Sequence, residues 1–275
     1  MSYKRILTMQ DISCVGQCSM TVAMPILSAC GHETCILPTA VLSTHTGGFG
    51  KPAVIHLDSI LEETVAHWKK NDITFDAVLI GYLGSIAAVE AAEYILDTML
   101  APGGIAIVDP AMADHGKLYS GLDTQYAAAM KKLCYRADII LPNLTEAAMF
   151  AGVTYDENYE IDYVNRILTA MDHPCVVLTG IGADQNTTGA YVAQGMRRTL
   201  CCHKKLGGSF HGTGDMFAAC FAGALLQGNN IVKSAEIAGN FTKIAIEKTI
   251  EAPAHRYGVK FEQALPELMR MLGHV

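Results

Sequence analysis

A chain of 275 residues that is 51 % hydrophobic and only 17 % charged holds ample material for a buried core, which argues against disorder. A formal net charge of −7 gives no bulk attraction for nucleic acid, and no apolar run is long and clean enough to span a bilayer. The opening "MSYKRILTMQ" lacks the apolar stretch of a secretory leader, and nine scattered cysteines fit a reducing, cytoplasmic setting better than a disulfide framework.

Taken in chain order, residues 5–10 read as a strand and 19–30 as a helix stopped by Gly31. Residues 33–43 are extended, and 57–71 carry apolar residues at helical spacing. A strand and turn over 76–84 lead into a helix over 85–100, followed by a strand over 104–110. Then come a helix over 124–136, a strand over 137–143 and a helix over 144–152 ended by Gly152. The amphipathic stretch 163–171 precedes a strand over 175–180, and "GAYVAQ" and "RRTLCC" flank Gly195 as an antiparallel hairpin. The last third is helical over 213–227, 231–248 and 258–272. Apolar strands alternating with helices predict one α/β domain over residues 1–275, with a mostly parallel central sheet covered by helices on both faces. The glycine-rich stretch 39–56 reads as a small flap or lid, with a dimer interface as the competing use of its apolar residues.

In such a sheet, ligands bind at the carboxyl ends of the strands. "GYLGS", "DPAMADHGKLY", "PNLTEA" and "LTGIG" all follow predicted strands and share one rim with "GTGD" (212–215). Turns need such residues anyway, but together these five favour a site. Cys14 with Cys18, and Cys201 and Cys202 with His203, have no second pair at zinc spacing and read as small buried hydrophobes.

The chain lacks a P-loop, since "GFGKP" misplaces its first glycine and puts Pro52 after Lys51. No Gly-x-Gly-x-x-Gly follows the first strand, so hydride transfer is weakly supported. Gly212, Thr213 and Gly214 can serve a phosphate differently, by free N–H groups at a helix start. Asp215 would repel that anion unless it has a use. Accepting the proton of a hydroxyl that attacks a phosphoryl group is such a use; the plainer role is a helix-dipole partner.

These residues resemble the vitamin-kinase branch of the ribokinase-like superfamily, nearest in motif to the pyridoxal kinases. The resemblance runs from "ILTMQDISCVG" to "AIEKT" and rests on "STHTGGFGK" (43–51), "GYLGS" (81–85), "DPAMADHGKLY" (109–119), "PNLTEA" (142–147) and "GTGD". It implies ATP-dependent phosphorylation of the 5′-hydroxymethyl group of a B6 vitamer: pyridoxal, pyridoxamine or pyridoxine. Asp215 would be the base, with Gly212, Thr213 and Gly214 as the anion hole. His45 and Thr46 would contact the pyridine ring and Tyr82 would wall its pocket. Asp109 would lie near the ATP phosphates, Thr179 and Gly180 beside the nucleotide, and 238–249 along the adenine and ribose. Asn143 and Glu146 would organise Mg²⁺, largely through water, as suits a small hard cation. The resemblance also implies a homodimer and a monovalent-cation requirement such as K⁺.

One departure concerns Asp11, which stands where most pyridoxal kinases carry a serine after the glutamine. An aspartate there can meet a protonated pyridine nitrogen, the 3-hydroxyl or a substrate amine; it can equally cap a strand end. Plainer roles exist for the others too: Asn143 as a helix cap, Glu146 as a first-turn acid, Tyr82 as rim packing, His45 as a loop residue and Lys51 as a solvated charge. The rival functions are a hydroxymethylpyrimidine (phosphate) kinase and a non-catalytic binding protein of the same fold. The latter gains nothing from a base at Asp215.

Overall fold

Side chains that alternate along each central strand enter two separate cores. Ile6, Ala77, Leu79 and Ile107 point into one, while Leu7, Val78, Ile80 and Val108 point into the other. A strand apolar on both faces must be covered on both. The computed structural model describes residues 3–208, 210–251 and 256–274.

The first half runs β1 (Arg5–Ser13), α1 (Met20–Ala29), β2 (Glu33–Leu42), β3 (Val54–His56), α2 (Asp58–Lys70), β4 (Phe75–Ile80), α3 (Ile86–Thr98) and β5 (Leu100–Val108). A two-residue hairpin, β6 (Ala113–Asp114) and β7 (Lys117–Leu118), precedes α4 (Thr124–Cys134), β8 (Ile139–Ile140), α5 (Leu144–Ala151) and α6 (Ile161–Met171). The chain continues through β9 (Cys175–Thr179), β10 (Thr187–Gln194), β11 (Arg197–Lys204), α7 (Thr213–Leu226), α8 (Ile231–Ile250) and α9 (Leu265–Met271).

Among the described residues the main sheet has the order β11-β10-β9-β8-β5-β4-β1-β2-β3. The six strands from β9 to β2 are mutually parallel. β3 joins one edge and the β10–β11 hairpin the other, both antiparallel. Residues of α2 to α6 cover one face, among them Leu61, Val89, Met130, Ala148 and Ile167. α1, α7, α8 and α9 cover the other, with Ile26, Phe221, Phe241 and Leu268. The predicted α/β class and its parallel sheet are therefore observed.

Several boundaries differ for local reasons. The first strand runs on to Ser13, so Asp11 lies inside β1 rather than capping its end. The strand expected over 137–143 shrinks to two residues, because Pro142 has no N–H to give and Asn143 already caps α5. The helix expected over 258–272 begins only at Leu265. Gly258 has φ +105°, Lys260 N–H is held by Thr249 Oγ1 at 2.9 Å, and Pro266 suits only a first helical turn. The flap begins on the end of β2 and closes on β3, which pairs with it, while residues 43–53 between them form irregular turns.

α7 is buried from Met216 to Ala224, and its Phe217 and Phe221 rings stack with centroids 6.3 Å apart. Phe221→Ala is expected to lower the unfolding free energy by about 3–5 kcal/mol, read from urea denaturation; a loss below about 1 kcal/mol would mean that the core closes over the gap.

Candidate active site

The carboxyl ends of the central strands meet the start of α7, and of the predicted site residues Asp109 and Asp215 share one crevice there. This narrow crevice is lined by Gln10, Leu79, Ile80, Gly81, Asp109, Asp215 and Ala218. Its floor is the junction of β1, β4 and β5, and its wall is the first turn of α7.

Gly212 opens α7 in the left-handed region, at φ +79°, and no side chain caps the helix. The first N–H groups of α7 are thus left for something else. A Cβ at residue 212 would stand 2.2 Å from the Gln17 carbonyl oxygen, so only glycine lets the β1–α1 loop sit against the helix start. Beside Gly214 there is open space. The Thr213 hydroxyl turns inward and donates to Phe210 O at 3.2 Å.

Asp215 Oδ2 accepts the Ser19 N–H at 2.9 Å and the Cys18 thiol at 3.2 Å. Burial pushes the Asp215 carboxyl above its ordinary value, and these two donors pull against that shift. Asp11 is 4 % exposed, with the Ser13 hydroxyl 3.5 Å from its Oδ2. Burial raises Asp11 to about 6; the Ser19 hydroxyl opposes the rise and the Asp215 charge adds to it. The Tyr82 phenol is also raised, by burial and then by the Asp11 charge, which puts these two side chains in one environment.

Beyond the end of β8, Glu146 and Asn143 form a capping box at α5. Glu146 Oε1 accepts Met112 N–H at 2.8 Å and Ala113 N–H at 3.3 Å, and Oε2 accepts Asn143 N–H at 2.9 Å. Burial nevertheless lifts Glu146 to about 7 against those bonds. Asn143 Oδ1 accepts Glu146 N–H at 3.0 Å and its Nδ2 donates to Ala113 O at 2.7 Å. The plain cap role is thus present in full, and it ties α5 to the loop after β5. Asp109 accepts Ala111 N–H at 3.2 Å and is held well above the carboxylate range by burial, then by Glu146 and Asp215. Among the described residues no lysine or arginine forms an ion pair with Asp11, Asp109, Glu146 or Asp215. Thr179 and Gly180 sit next to Asn143 across a parallel bridge, with Thr179 N–H bonded to Pro142 O at 2.9 Å.

His45 is buried against the β1–α1 loop rather than lying on the surface. A Cβ at Gly16 would fall 2.0 Å from its ring. His45 Nδ1 accepts Gly47 N–H at 3.0 Å, while its Nε2 is buried with no hydrogen-bond partner of ordinary geometry among the described residues. Its ring meets Phe49 and His211 with centroids 5.0 and 5.1 Å apart, and Phe49 in turn meets Tyr257 and Arg256. Thr46 is exposed beside it.

Sequence reasoning read Cys18 as a small buried hydrophobe and passed over Ser19 and Tyr119. Cys18 and Ser19 belong to "CVGQCS", which follows a strand just as the other rim motifs do. Burial, and then the charges of Glu146, Asp114, Asp109 and Asp215, push the Tyr119 phenol up.

The model of the phosphomethylpyrimidine kinase family matches residues 25–260. Pyridoxal kinase from Lactobacillus plantarum is 33 % identical, with a TM-score of 0.90 over 99 % of each chain. A protein from Bacteroides thetaiotaomicron, provisionally named a phosphomethylpyrimidine kinase and crystallised with pyridoxal, is 30 % identical with a TM-score of 0.89, over 97 % of this chain and 96 % of the other. A hydroxymethylpyrimidine/phosphomethylpyrimidine kinase from Haemophilus influenzae is 27 % identical over 76 % of this chain and 78 % of its own.

The Asp11 shift carries a pH signature. A carboxyl at about 6 when folded, against 3.8 as its ordinary value, keeps its proton in the folded chain after the unfolded chain has lost it. The contribution of Asp11 to stability must then fall as pH rises from 3.8 to about 6. Asp11→Asn is expected to lose that part of the slope, seen as a stability gain over wild type that grows across the window in urea denaturation at stepped pH. A constant difference between the two proteins would contradict it.

Proposed function

The chain belongs to the phosphomethylpyrimidine kinase family, and we propose that it is an ATP-dependent kinase of the 5′-hydroxymethyl group of a B6 vitamer. The observation that carries this reading is Asp215 at the uncapped start of α7, one carboxylate oxygen held by the loop and the other without a partner among the described residues. The pyridoxal kinase likeness at 33 % identity, and the likeness to a pyridoxal-bound structure at 30 %, support the choice of alcohol.

In this reading Asp215 takes the proton of the vitamer hydroxyl as its oxygen attacks the γ-phosphorus of ATP. One P–O bond forms, the bond to the bridging oxygen of ADP breaks, and the proton stays on Asp215 until product leaves. The free N–H groups at Gly212, Thr213 and Gly214 receive the charge of the moving phosphoryl group. Asp11, Tyr82, His45 and Thr46 form the acceptor side, where His45 Nε2 carries the ring proton, since Nδ1 accepts the Gly47 N–H, and is a ready donor. Thr179 and Gly180 would flank the nucleotide, with 238–249 of α8 along its adenine and ribose.

The donor set fits Mg²⁺. Asp109 and Glu146 are hard carboxylates without a cationic partner among the described residues, and Mg²⁺ takes one or two such groups along with water and phosphate. Asn143 would orient Glu146 through the capping box. When bound, the ion would neutralise phosphate charge.

A second reading, phosphorylation of hydroxymethylpyrimidine, is favoured by the family description and the Haemophilus relative. One panel separates the two: purified protein with MgATP and pyridoxal, pyridoxamine, pyridoxine or hydroxymethylpyrimidine, following ADP. Turnover on a B6 vitamer is expected. Turnover on the pyrimidine alone replaces the reading, and no turnover favours a binding protein. Asp215→Asn is expected to bind ATP and vitamer but turn over at least about a hundredfold more slowly; near-normal turnover removes Asp215 as the base. Glu146→Gln and Asn143→Ala are expected to raise the Mg²⁺ concentration for half-maximal rate, and an unchanged Mg²⁺ titration rejects their role.

A further inference from the structure

We infer that Cys18 is a positioning residue for the Asp215 carboxylate, its thiol and the Ser19 amide clamping Oδ2 so that Oδ1 is the oxygen left to take the acceptor's proton. This rests on the reading of Asp215 as the base. The two oxygens of an aspartate are chemically equivalent, and rotation about its last torsion exchanges them. Here two donors converge on one oxygen, at 3.2 Å from Cys18 Sγ and 2.9 Å from Ser19 N, so the exchange costs both bonds.

The donors are aimed by a loop that is held independently of Asp215. Cys14 N–H bonds Leu42 O at 2.8 Å, and Gln17 N–H bonds Tyr257 O at 2.5 Å. Gln17 Nε2 reaches Glu262 Oε1 at 2.6 Å. The Thr21 hydroxyl donates to Cys18 O at 2.8 Å, and Cys18 N–H approaches that hydroxyl at 3.3 Å. Ser19 itself is pinned in the left-handed region, at φ +51°. Burial and the neighbouring charges of Asp215 and Asp11 push the Cys18 thiol well up. It therefore keeps its proton and acts as a donor rather than as a nucleophile.

Loss of the thiol would leave the Ser19 amide as the single donor on Oδ2. Binding of either substrate would be untouched, and the fraction of Asp215 in the productive orientation would fall. The effect belongs in kcat, and it must vanish when Asp215 is absent.

The test is steady-state kinetics with pyridoxal and MgATP on wild type, Cys18→Ala, Cys18→Val, Cys18→Ser, Asp215→Ala and the Cys18→Ala/Asp215→Ala double variant. Cys18→Ala and Cys18→Val, which lack the donor at smaller and similar bulk, should each lower kcat about five- to tenfold with both KM values within about twofold. Cys18→Ser, which restores a donor, should recover at least about half of the wild-type kcat. In the Asp215→Ala background, Cys18→Ala should cost less than about twofold. The clamp is overturned by an unchanged kcat in both Cys18→Ala and Cys18→Val, by a Cys18→Ser variant as slow as they are, or by an equal loss in the double variant. In all three of those results Asp215→Ala stays slow. Near wild-type turnover by Asp215→Ala is a different result: it overturns the base assignment, and the clamp with it.

Discussion

The contact between the β1–α1 loop and the start of α7 governs the rest of the site. It exists because residue 212 has no side chain: any Cβ there would collide with the Gln17 carbonyl at 2.2 Å. With the loop seated, the Ser19 amide and the Cys18 thiol fall on Asp215. On the loop's other flank, Gly16 makes room for the His45 ring, again because a Cβ would occupy that place. Two glycines thus let one short loop join the helix that would receive a phosphate to the flap that would cover an alcohol.

The second constraint is charge. Asp11, Asp109, Glu146 and Asp215 converge at one rim without a lysine or arginine to pair with among the described residues, and burial raises all four carboxyls. Such a collection is costly in an empty protein. It becomes useful when a divalent cation and phosphates arrive. The backbone also bears part of the load: Met112, Ala113 and Asn143 all aim N–H groups at Glu146. The same capping box that starts α5 therefore fixes the loop after β5, and one pair of residues serves helix and site together. Strand order brings this about, since β5, β8 and β9 are consecutive neighbours and end side by side.

Much of the architecture was legible in the chain. Apolar runs such as "DAVLI" and "CVVLT" are continuous because both faces of the sheet are covered, and glycines at Gly31 and Gly152 end helices where expected. Boundaries were less legible wherever a distant bond set them. The strand through Asp11 extends because β2 pairs with it as far as Ser13 and Leu42, a partner that no local pattern reveals. The last helix starts late because Thr249, on α8, holds the Lys260 amide. Within the site, "GTGD" and "PNLTEA" stood out because helix starts follow local rules of capping and dipole. Cys18 did not stand out. Its cysteine pattern suggests metal or packing, and the sequence separates it from Asp215 by 197 positions.

By itself, then, the sequence determined what short-range physics controls: the α/β rhythm, the glycine-led start of α7, the cap at Asn143 and Glu146, and the set of polar turns that follow the strands. The tertiary structure alone decided which of those turns touch. It put Asp215 under the Cys18–Ser19 loop, buried the His45 ring against that same loop, and drew four acids to one edge. The physical reason is that strand order and close backbone approach are long-range properties. They depend on how two cores pack on one sheet, and no local stretch of residues encodes that.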